Sequence, residues 1–500
     1  MKEDIFSFRN IYRQYINCRK RKRNTINALK FEIRLEDNIL SLQEELRNRS
    51  YYPSRSVCFV AKRPKLREIF AADFRDRVVH HILVDYLEKI WEPVFIYDSY
   101  ACRKGKGNHQ AVKRLRSFMR KVSKNGAVRA DYMQLDIHNF FVSIDKEILF
   151  NLIAKRIENE DILWLLKVLI FHDPTRDYVL KSKRRLIESV PAHKSLFNTR
   201  NKRGLPIGNL TSQFFGNVYL NELDQFVKHN LKAKYYLRYV DDFVILHRDK
   251  EQLDAWRKEI GQLLKNRLNL SLHPGKQVIR PVSNGVDFLG YIVRAGYILS
   301  RNRVVNNLKE KLNMYQRKLF SQMGGWTQAR FEYPVLENVL ATVSSYLAHF
   351  KMAYNRNLKN RLWERYRFLK EFFSYDGRGL RRRYGVAYDF RALAAQYAFF
   401  RHRYPGDLLF FQVGGFYEFF DRDARFVSDK LGLRMIKGRR GLRLRCRFPL
   451  ALKERYLGVI MKNGGGSNIT IIKEEDMCLL RIKRRMVTER WKLKVGEQDG

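Results

Sequence analysis

The feature that most constrains this chain is a strand–turn–strand pattern whose turn is acidic. Residues 234–248 contain two runs rich in β-branched and aromatic residues, and the break between these runs is Asp241-Asp242. Such runs, separated by a short polar break, predict two paired strands. Aspartate also favours turns for purely local reasons, so the acidic pair by itself has an ordinary structural explanation.

A second acidic element lies far upstream, in the segment from Gln134 to Phe141. Here Asp136 stands near the end of another apolar run. If the two predicted strands are neighbours in one sheet, Asp136 and Asp241 converge on a pair of divalent cations. Nucleotidyl transfer uses two Mg²⁺ ions, which activate the attacking hydroxyl and stabilise the leaving pyrophosphate. The joint pattern therefore favours a metal site over an ordinary turn.

The charge of the chain indicates a polyanionic partner. Ninety-eight lysine and arginine residues face 52 acidic residues, a formal net charge of +46 that is spread along the whole sequence. Nucleic acid is the expected partner, held by neutralisation of phosphates. An anionic membrane is the alternative, and it is disfavoured because no apolar run approaches the ~20 residues of a spanning helix.

The cysteines and the first residues indicate a reducing compartment. The five cysteines are scattered, odd in number and without zinc-ligand spacing, so neither a disulfide framework nor a structural zinc site is expected. No apolar segment typical of a secretory signal follows residues 1–4. We expect a cytoplasmic protein.

Periodicity predicts the order of elements along the chain. Helices are expected over 5–50, 76–91, 162–171 and 250–268, and a Gly-Pro-Gly loop at 204–208 is expected to lead into a long helix. Residues 303–375 are predicted to be helical. Beyond residue 388 short alternating segments and glycine-rich turns appear, which places a domain boundary near 375–395.

Three stretches carry a resemblance to a known family. They are residues 67–81, 98–107 and 204–213, which stand in this order around the acidic motifs. Their arrangement resembles the fingers and palm of reverse transcriptases. Within that family, it is most similar to the group II intron-like bacterial enzymes of diversity-generating retroelements.

The resemblance implies an α+β fold, a right-hand polymerase. Residues 55–300 would form fingers and palm, with an N-terminal helical extension at 1–54 and a helical thumb at 301–385. The implied activity is RNA-directed DNA synthesis that copies a retroelement template RNA into cDNA from a DNA primer and dNTPs. Two Mg²⁺ ions are the implied cofactors, which Mn²⁺ could replace. A bacterial or phage source and a small basic accessory protein are also implied.

Catalytic roles are implied for matching positions. Asp136, Asp241 and Asp242 match the catalytic, metal-binding carboxylates, and the carbonyl of Ile137 matches a backbone ligand. Lys276 matches a lysine proposed to protonate pyrophosphate.

Nucleotide and primer contacts are implied in the same way. Lys65 and Arg67 match the basic residues that grip the triphosphate, although in so basic a chain either could be a solvated cation. Phe141 matches the ring that rejects a 2′-hydroxyl, with simple core packing as the alternative. Phe288-Leu289-Gly290 matches the primer grip, although a glycine in a hairpin needs no function.

One loop departs from many reverse transcriptases. Ile207 stands where they carry glutamine, and Gln213 stands where they carry proline. Isoleucine can neither donate nor accept a hydrogen bond near the incoming nucleotide. In the resembling retroelement enzymes this loop accompanies errors at template adenines, so the same selective infidelity is expected here.

The C-terminal region resembles a different family. Residues 404–424, and more weakly those up to 472, resemble the N-terminal mismatch-reading domain of MutS proteins, which would form a small α/β module at 388–485 followed by a tail at 486–500. In that family a Phe and a Glu contact a mispaired base, and Phe416 and Glu418 match them. Gly415 departs from the usual acidic residue, and no Walker-type loop accompanies the module. A structural or duplex-binding appendage is the alternative.

Two other functions stay open at this point. A defence-associated or unassigned bacterial reverse transcriptase would share the chemistry and serve another purpose. A catalytically silent nucleic-acid-binding scaffold belongs to another class, and three clustered carboxylates in a basic chain argue against it.

Overall fold

The computed structural model describes residues 4–20, 25–62, 65–200, 202–384, 390, 392–438, 441–463, 467–479 and 482–493. The chain divides into two compact units, Met1–Tyr297 and Ile298–Gly500, here called the N-terminal and C-terminal units. No helix in the described part of the chain is long and apolar enough to cross a membrane.

The N-terminal unit mixes helices and strands. Its helices are α1 Phe8–Arg19, α2 Ile26–Ile33, α3 Leu35–Arg47, α4 Phe74–Trp91, α5 Asn108–Val122, α6 Phe140–Ser143, α7 Lys146–Ala154, α8 Glu160–Phe171, α9 Arg184–Glu188, α10 Leu210–Gln225 and α11 Lys250–Leu268. Its strands are β1 Ser56–Ala61, β2 Arg67–Ala71, β3 Asp131–Ile137, β4 Tyr178–Leu180, β5 Tyr235–Tyr239, β6 Asp242–His247, β7 Leu272–Pro281, β8 Val286–Phe288 and β9 Tyr291–Val293.

Local signals explain where several of these helices begin. The side chains of Asp73, Asn159 and Asp249 accept hydrogen bonds from backbone N–H groups in the first turns of α4, α8 and α11. Such caps satisfy donors that have no partner inside the helix. The helices expected at 76–91, 162–171 and 250–268 are confirmed by these elements.

A four-stranded antiparallel sheet, in the order β5-β6-β3-β7, is central to the N-terminal unit. Met133, Leu135 and Ile137 of β3 are buried in one hydrophobic cluster with residues of α4, α8, α10 and α11. Because side chains alternate along a strand, Gln134 and Asp136 project from the other face. A smaller sheet has the order β2-β1-β4, and its strand β4 comes between β3 and β5 in the chain.

The C-terminal unit covers the residues for which the sequence predicts a thumb and a small module. Its helices are α12 Asn302–Leu319, α13 Tyr333–Phe350, α14 Arg356–Arg365, α15 Leu369–Phe372, α16 Leu393–Arg403, α17 Asp421–Leu431 and α18 Lys453–Asn463. Its strands are β10 Ile298–Ser300, β11 Phe320–Met323, β12 Trp326–Arg330, β13 Phe373–Tyr375, β14 Leu380–Arg382, β15 Leu408–Val413, β16 Phe416–Phe420, β17 Ile436–Lys437, β18 Leu444–Pro449, β19 Ile469–Leu479 and β20 Ile482–Leu493.

An eight-stranded sheet joins these regions, in the order β11-β12-β20-β19-β15-β16-β18-β17. The prediction that residues 303–375 are helical is wrong for β11 and β12, which form a hairpin. Gly324 and Gly325 form its turn with positive φ angles of 53° and 82°. Two adjacent residues with positive φ suit the tight turns that join antiparallel strands, and glycine adopts them without steric cost.

Two segment boundaries also differ from the sequence-based expectation. The glycine-rich stretch at 376–379 is the turn between paired strands β13 and β14. Strand β20 continues to Leu493, so the start of the expected tail, residues 486–493, lies inside the sheet.

Candidate active site

The acidic strand ends meet in the central sheet. Strands β3 and β6 pair antiparallel with Asp136 directly opposite Asp242, and Asp241 lies in the two-residue turn between β5 and β6. The prediction that the two acidic strands are neighbours is confirmed. The charge of Asp136 is felt at both carboxylates of the turn.

The turn carrying Asp241 has a strained backbone. Val240 has a φ of 56°, a left-handed conformation that β-branched residues rarely adopt. Its carbonyl accepts a hydrogen bond of 2.9 Å from Nη1 of Arg238. Because such strain persists only when the surroundings enforce it, this bond helps to hold the turn.

Arg238 itself is fixed by a fully buried network. Its Nη2 lies 2.6 Å from Oδ2 of Asp224, and both side chains are 0% exposed. The guanidinium also donates to the side chains of Asn217 and Ser99, and Tyr236 donates its hydroxyl proton to Asp224. A buried ion pair with this many hydrogen bonds gives the guanidinium one orientation.

The turn carboxylates carry more negative charge than their neighbours neutralise. Burial, followed by the charge of Asp136, raises the pKa of Asp241. Burial raises the pKa of Asp242 to about 7, and the charges of Asp241 and Asp136 add to this, against a hydrogen bond from Gln134. Burial and the neighbouring negative charges both disfavour the ionised forms of these carboxyl groups. A cation bound here would offset the neighbouring negative charge and would be stabilised by the carboxylates it neutralises.

Lys276 reaches Asp136 through an irregularity in β7. Leu135 pairs with Gln277 and Ile137 pairs with Leu272, so residues 273–276 leave the regular ladder beside Asp136. The Lys276 ammonium pairs with the Asp136 carboxylate, and the two side chains are 41% and 20% exposed. Irregularities of this kind redirect a side chain toward a site.

Two further cations lie at the β2 side of the carboxylates. Partial burial lowers the pKa of Lys65, and the charge of Lys276 lowers it further. The charge of Arg67 opposes part of the rise in the pKa of Asp241. Lys65, Arg67 and Lys276 therefore interact electrostatically with the carboxylates that the sequence predicts as metal ligands.

The loop at 204–208 connects two parts of this site. The Leu205 amide donates to the Phe141 carbonyl at 2.8 Å, and the Ile207 carbonyl accepts from the Phe70 amide of β2 at 2.9 Å. Gly208 has a φ of 127°, and a Cβ there would lie 3.0 Å from the Phe70 carbonyl oxygen. The loop thus requires glycine and places Ile207 between β2 and the Phe141 backbone.

Phe141 lies on α6, directly after the β3 strand end. Its ring packs against Phe140 with centroids 5.1 Å apart. A Cβ at Gly216 of α10 would come within 3.5 Å of both rings, so the absence of a side chain there makes room for them. Phe141 stays partly exposed whereas Phe140 is buried.

The remaining predicted residues lie around this centre. Gln213 is exposed on the first turn of α10 and accepts a hydrogen bond from the Cys102 thiol. Phe288 ends β8, and Leu289 and Gly290 form the turn to β9 with φ angles of 51° and 86°. Gln134 donates to Asp242 and to the carbonyl of Asp287, which ties this hairpin to the turn carboxylate.

Sequence reasoning missed several residues near the carboxylates. The hydrogen bonds of Arg238 and Gln134 could not be predicted, because the sequence shows only that both residues stand next to an acidic motif. His138 lies against His193 and His273, with ring centroids 6.2 Å and 5.5 Å apart. Partial burial and the two neighbouring imidazoles lower the pKa of His138. Nothing in the spacing of these histidines predicts their contact.

The available donors suit a hard cation. Within the described ranges, no group of three or more His, Cys, Asp or Glu side chains is arranged to hold a metal ion by itself. Asp136, Asp241 and the Ile137 backbone offer oxygen donors, to which Asp242 adds a neighbouring charge. Mg²⁺ takes few protein carboxylates and completes its shell with water and phosphates, so this sparse set fits it.

The second pair of predicted contacts lies in the C-terminal unit. Phe416 begins β16 and is partly exposed, whereas Glu418 is fully buried. Arg445 donates to the Glu418 carboxylate at 3.1 Å, and the Arg447 guanidinium lies 4.4 Å from the Phe416 ring centroid.

Comparisons with known proteins find matches in two separate regions of the chain. Residues 60–293 match the family "Reverse transcriptase (RNA-dependent DNA polymerase)", and residues 391–490 match "MutS domain I". Protein YkfC of Escherichia coli is 24% identical over 57% of this chain and 79% of its own length. The group II intron-encoded protein LtrA of Lactococcus lactis is 24% identical over 52% of this chain and 50% of its own length.

The C-terminal match is shorter. The DNA mismatch repair protein MutS of Treponema pallidum is 39% identical over 14% of this chain, which is 8% of that protein. Among solved structures, apo telomerase from Candida tropicalis aligns with 53% of this chain and 59% of its own, at 13% identity and a TM-score of 0.37. The chain is therefore similar to the reverse transcriptase family over residues 60–293 and to MutS domain I over residues 391–490.

Proposed function

We propose that this chain is an RNA-directed DNA polymerase that uses two divalent cations and copies a retroelement template RNA into cDNA. The observation that carries the proposal is the convergence of Asp136, Asp241 and Asp242 where the inner strands β3 and β6 meet the β5–β6 turn, with raised pKa values in the turn and Lys276 and Lys65 beside them. The right-hand arrangement of fingers, palm and thumb belongs to the same proposal.

The metal-binding residues follow from the donor set. Asp136, Asp241 and the Ile137 carbonyl would hold Mg²⁺, with Asp242 adding negative charge and Mn²⁺ a workable substitute. Bound Mg²⁺ would activate the primer 3′-hydroxyl and stabilise the departing pyrophosphate. Lys276, which pairs with Asp136 here, would give up that contact to a cation and protonate the pyrophosphate.

Other residues would select and position the substrates. Lys65 and Arg67 bind the triphosphate of the incoming dNTP, because fixed cations stabilise charge that develops on a transferring phosphoryl group. Phe141 excludes the ribose 2′-hydroxyl by steric clash. The Phe288-Leu289-Gly290 hairpin, tied to Asp242 through Gln134, supports the primer strand.

Primer extension on an RNA template tests the polymerase proposal. We expect Asp241→Asn to reduce the extension rate on the order of 10³-fold, because it removes one ligand charge worth several kcal/mol to the reacting phosphate. Asp254→Asn, on the outer helix α11, is the matched control and is expected to keep the wild-type rate. A wild-type chain without extension activity under Mg²⁺ or Mn²⁺ would leave the nucleic-acid-binding scaffold as the better interpretation.

Ile207 supports a further proposal, selective error at template adenines. Its side chain lies in the loop between β2 and Phe141 and offers no hydrogen bond to a nascent base pair. We expect cDNA made by the wild-type chain to carry errors concentrated at template adenines, and Ile207→Gln to reduce them several-fold relative to errors at other bases. Sequencing of cDNA from both proteins measures this. Uniform accuracy in the wild type would contradict the retroelement assignment.

The genetic setting decides between the two polymerase roles. A neighbouring pair of template and variable repeats, with a gene for a small basic accessory protein, would support the diversity-generating retroelement. Their absence from the locus would favour a defence-associated or unassigned reverse transcriptase with the same chemistry.

A further inference from the structure

Arginines alternate along strand β18 in the C-terminal unit. Cys446 and Phe448 of this strand are buried in a hydrophobic cluster with residues of α17 and α18. Because side chains alternate along a strand, Arg445 and Arg447 project from the opposite face. Arg443, one residue before the strand, shares their parity, and Arg443 and Arg447 are exposed. The face away from α17 and α18 thus carries a row of guanidinium groups.

This row covers the residues that match the mismatch-reading motif. Strand β16 pairs with β18 so that Glu418 lies opposite Arg447. The Glu418 carboxylate is 0% exposed and lies 3.1 Å from Arg445 Nη1 and 4.0 Å from Arg447 Nη1. The Arg447 guanidinium also lies over the Phe416 ring. A base approaching this face would meet Arg447 before it met the Glu418 carboxylate.

The charge of the exposed face is positive. Glu418 lies beneath the arginines, and the nearby Asp421 carboxylate accepts hydrogen bonds from the backbone amides of Arg443 and Leu444. What the face presents outward is therefore the pair of exposed guanidinium groups and the edge of Phe416. Planar guanidinium groups bind phosphate oxygens through two parallel hydrogen bonds.

We propose that this face binds a nucleic-acid backbone through Arg443 and Arg447, with Arg445 held by Glu418 beside them, and does not distinguish mismatched from matched base pairs. Glu418 acts as a positioning residue, since it orients two of the arginines instead of presenting an acceptor to a base. The module retains the motif of a mismatch reader and uses it to build a phosphate-binding surface. This inference goes beyond polymerase activity and does not depend on it.

Binding of the full chain to DNA duplexes tests the proposal. A labelled matched duplex and the same duplex with one G·T mismatch are titrated over a series of NaCl concentrations, and fluorescence anisotropy gives the affinities. The double variant Arg443→Gln/Arg447→Gln is compared with Arg425→Gln/Arg455→Gln, whose exposed arginines lie on α17 and α18, across the sheet. Both variants lose the same net charge, so only the location of the lost arginines differs.

We expect the slope of log affinity against log salt to fall by about 2 in Arg443→Gln/Arg447→Gln, at about 0.9 per lost phosphate contact, and to stay unchanged in the control. Matched and mismatched duplexes should bind the wild type within about twofold of each other. Equal slopes in the two double variants would overturn the phosphate contact.

If the wild type bound the mismatched duplex more tightly than the matched one, and Glu418→Gln removed this preference, the proposal that the face does not discriminate mismatches would be overturned. If Glu418→Gln does not fold, loss of such a preference in Phe416→Leu would overturn it equally. The N-terminal unit is unchanged in every variant. A failure of primer extension would therefore count against the polymerase proposal and leave this comparison of slopes intact.

Discussion

The pKa values of carboxyl groups that are shielded from solvent shift in different directions in the two units. At the candidate active site, Asp241 and Asp242 lie beside Asp136, and their pKa values are raised. In the C-terminal unit, burial alone would raise the pKa of Asp407, but Arg490 and Thr470 outweigh it and the pKa is lowered. Glu474 behaves likewise, because Lys483 and Arg485 outweigh its burial.

The contrast separates the candidate active site from a network of ion pairs inside the C-terminal unit. Asp407, Arg490, Glu371 and Lys492 form a chain of ion pairs within the C-terminal unit, so their charges are satisfied by the protein itself. Asp423 departs from this pattern, because its burial outweighs the nearby Arg401 and its pKa is raised. The crowded carboxylates of the candidate active site, by comparison, are best satisfied by a cation from outside.

The largest expected effect concerns the buried Arg238. We expect Arg238→Met to destabilise the N-terminal unit by about 3–5 kcal/mol, because it leaves the Asp224 carboxylate buried and unpaired. The double variant Arg238→Met/Asp224→Leu should recover much of this loss without recovering primer extension, since the Val240 carbonyl still lacks its donor. Thermal unfolding and extension rates measure the two. Full recovery of extension would show that Arg238 serves the fold alone.

The next prediction concerns Asp407, a carboxylate of the C-terminal unit that is paired within the protein. We expect Asp407→Asn to lower the stability of the C-terminal unit by about 2 kcal/mol, because hydrogen bonds to a charged partner are lost. The folded pKa of Asp407 is lowered, so its contribution is present above about pH 4 and disappears as the pH falls through the folded pKa. Thermal unfolding at neutral and acidic pH should show a difference between wild type and variant only at neutral pH.

Replacing Asp242 by asparagine should change the stability of the folded chain in the opposite direction. Its folded pKa of about 7 lies above the ordinary value, so the folded chain holds a proton that the unfolded chain releases. Stability contributed by this group is present at low pH and falls as the pH rises to about 7. We expect Asp242→Asn to stabilise the metal-free chain by on the order of 1–2 kcal/mol above neutral pH.

Added Mg²⁺ should reverse this order. The cation stabilises the wild type by binding its folded state, and the variant gains less. A lower melting temperature for the metal-free Asp242→Asn chain would remove the basis of the comparison between the two units.

The smallest expected effect lies at an uncharged neighbour of the site. We expect Phe141→Ala to raise ribonucleotide incorporation about tenfold relative to deoxynucleotides, which corresponds to about 1.4 kcal/mol of lost discrimination. The rate with deoxynucleotides should change much less. Single-nucleotide extension with paired dNTP and rNTP substrates measures the ratio. Phe140→Leu, at the buried neighbouring ring, is the control.

Local patterns predicted the carboxylates and their sheet. Alternation and acidic breaks around Asp136 and Asp241 lie within short windows, so strands and turn followed from the sequence. The function of Arg238 did not, because one arginine among 98 lysines and arginines carries no mark of burial. The β11–β12 hairpin was missed because its pairing with β20 joins segments far apart in the chain, and only the Gly324-Gly325 turn signals it locally.

The shared sheet has a consequence for how the chain can be divided. Strand β12 pairs along its length with β20, from Trp326 opposite Leu493 to Arg330 opposite Glu489. Cutting the chain between residues 385 and 391 would strip β12 of this neighbour and expose a row of unpaired backbone groups, which invites edge-to-edge aggregation. An N-terminal fragment that stays soluble would have to lose the hairpin as well, or keep both segments of the sheet together.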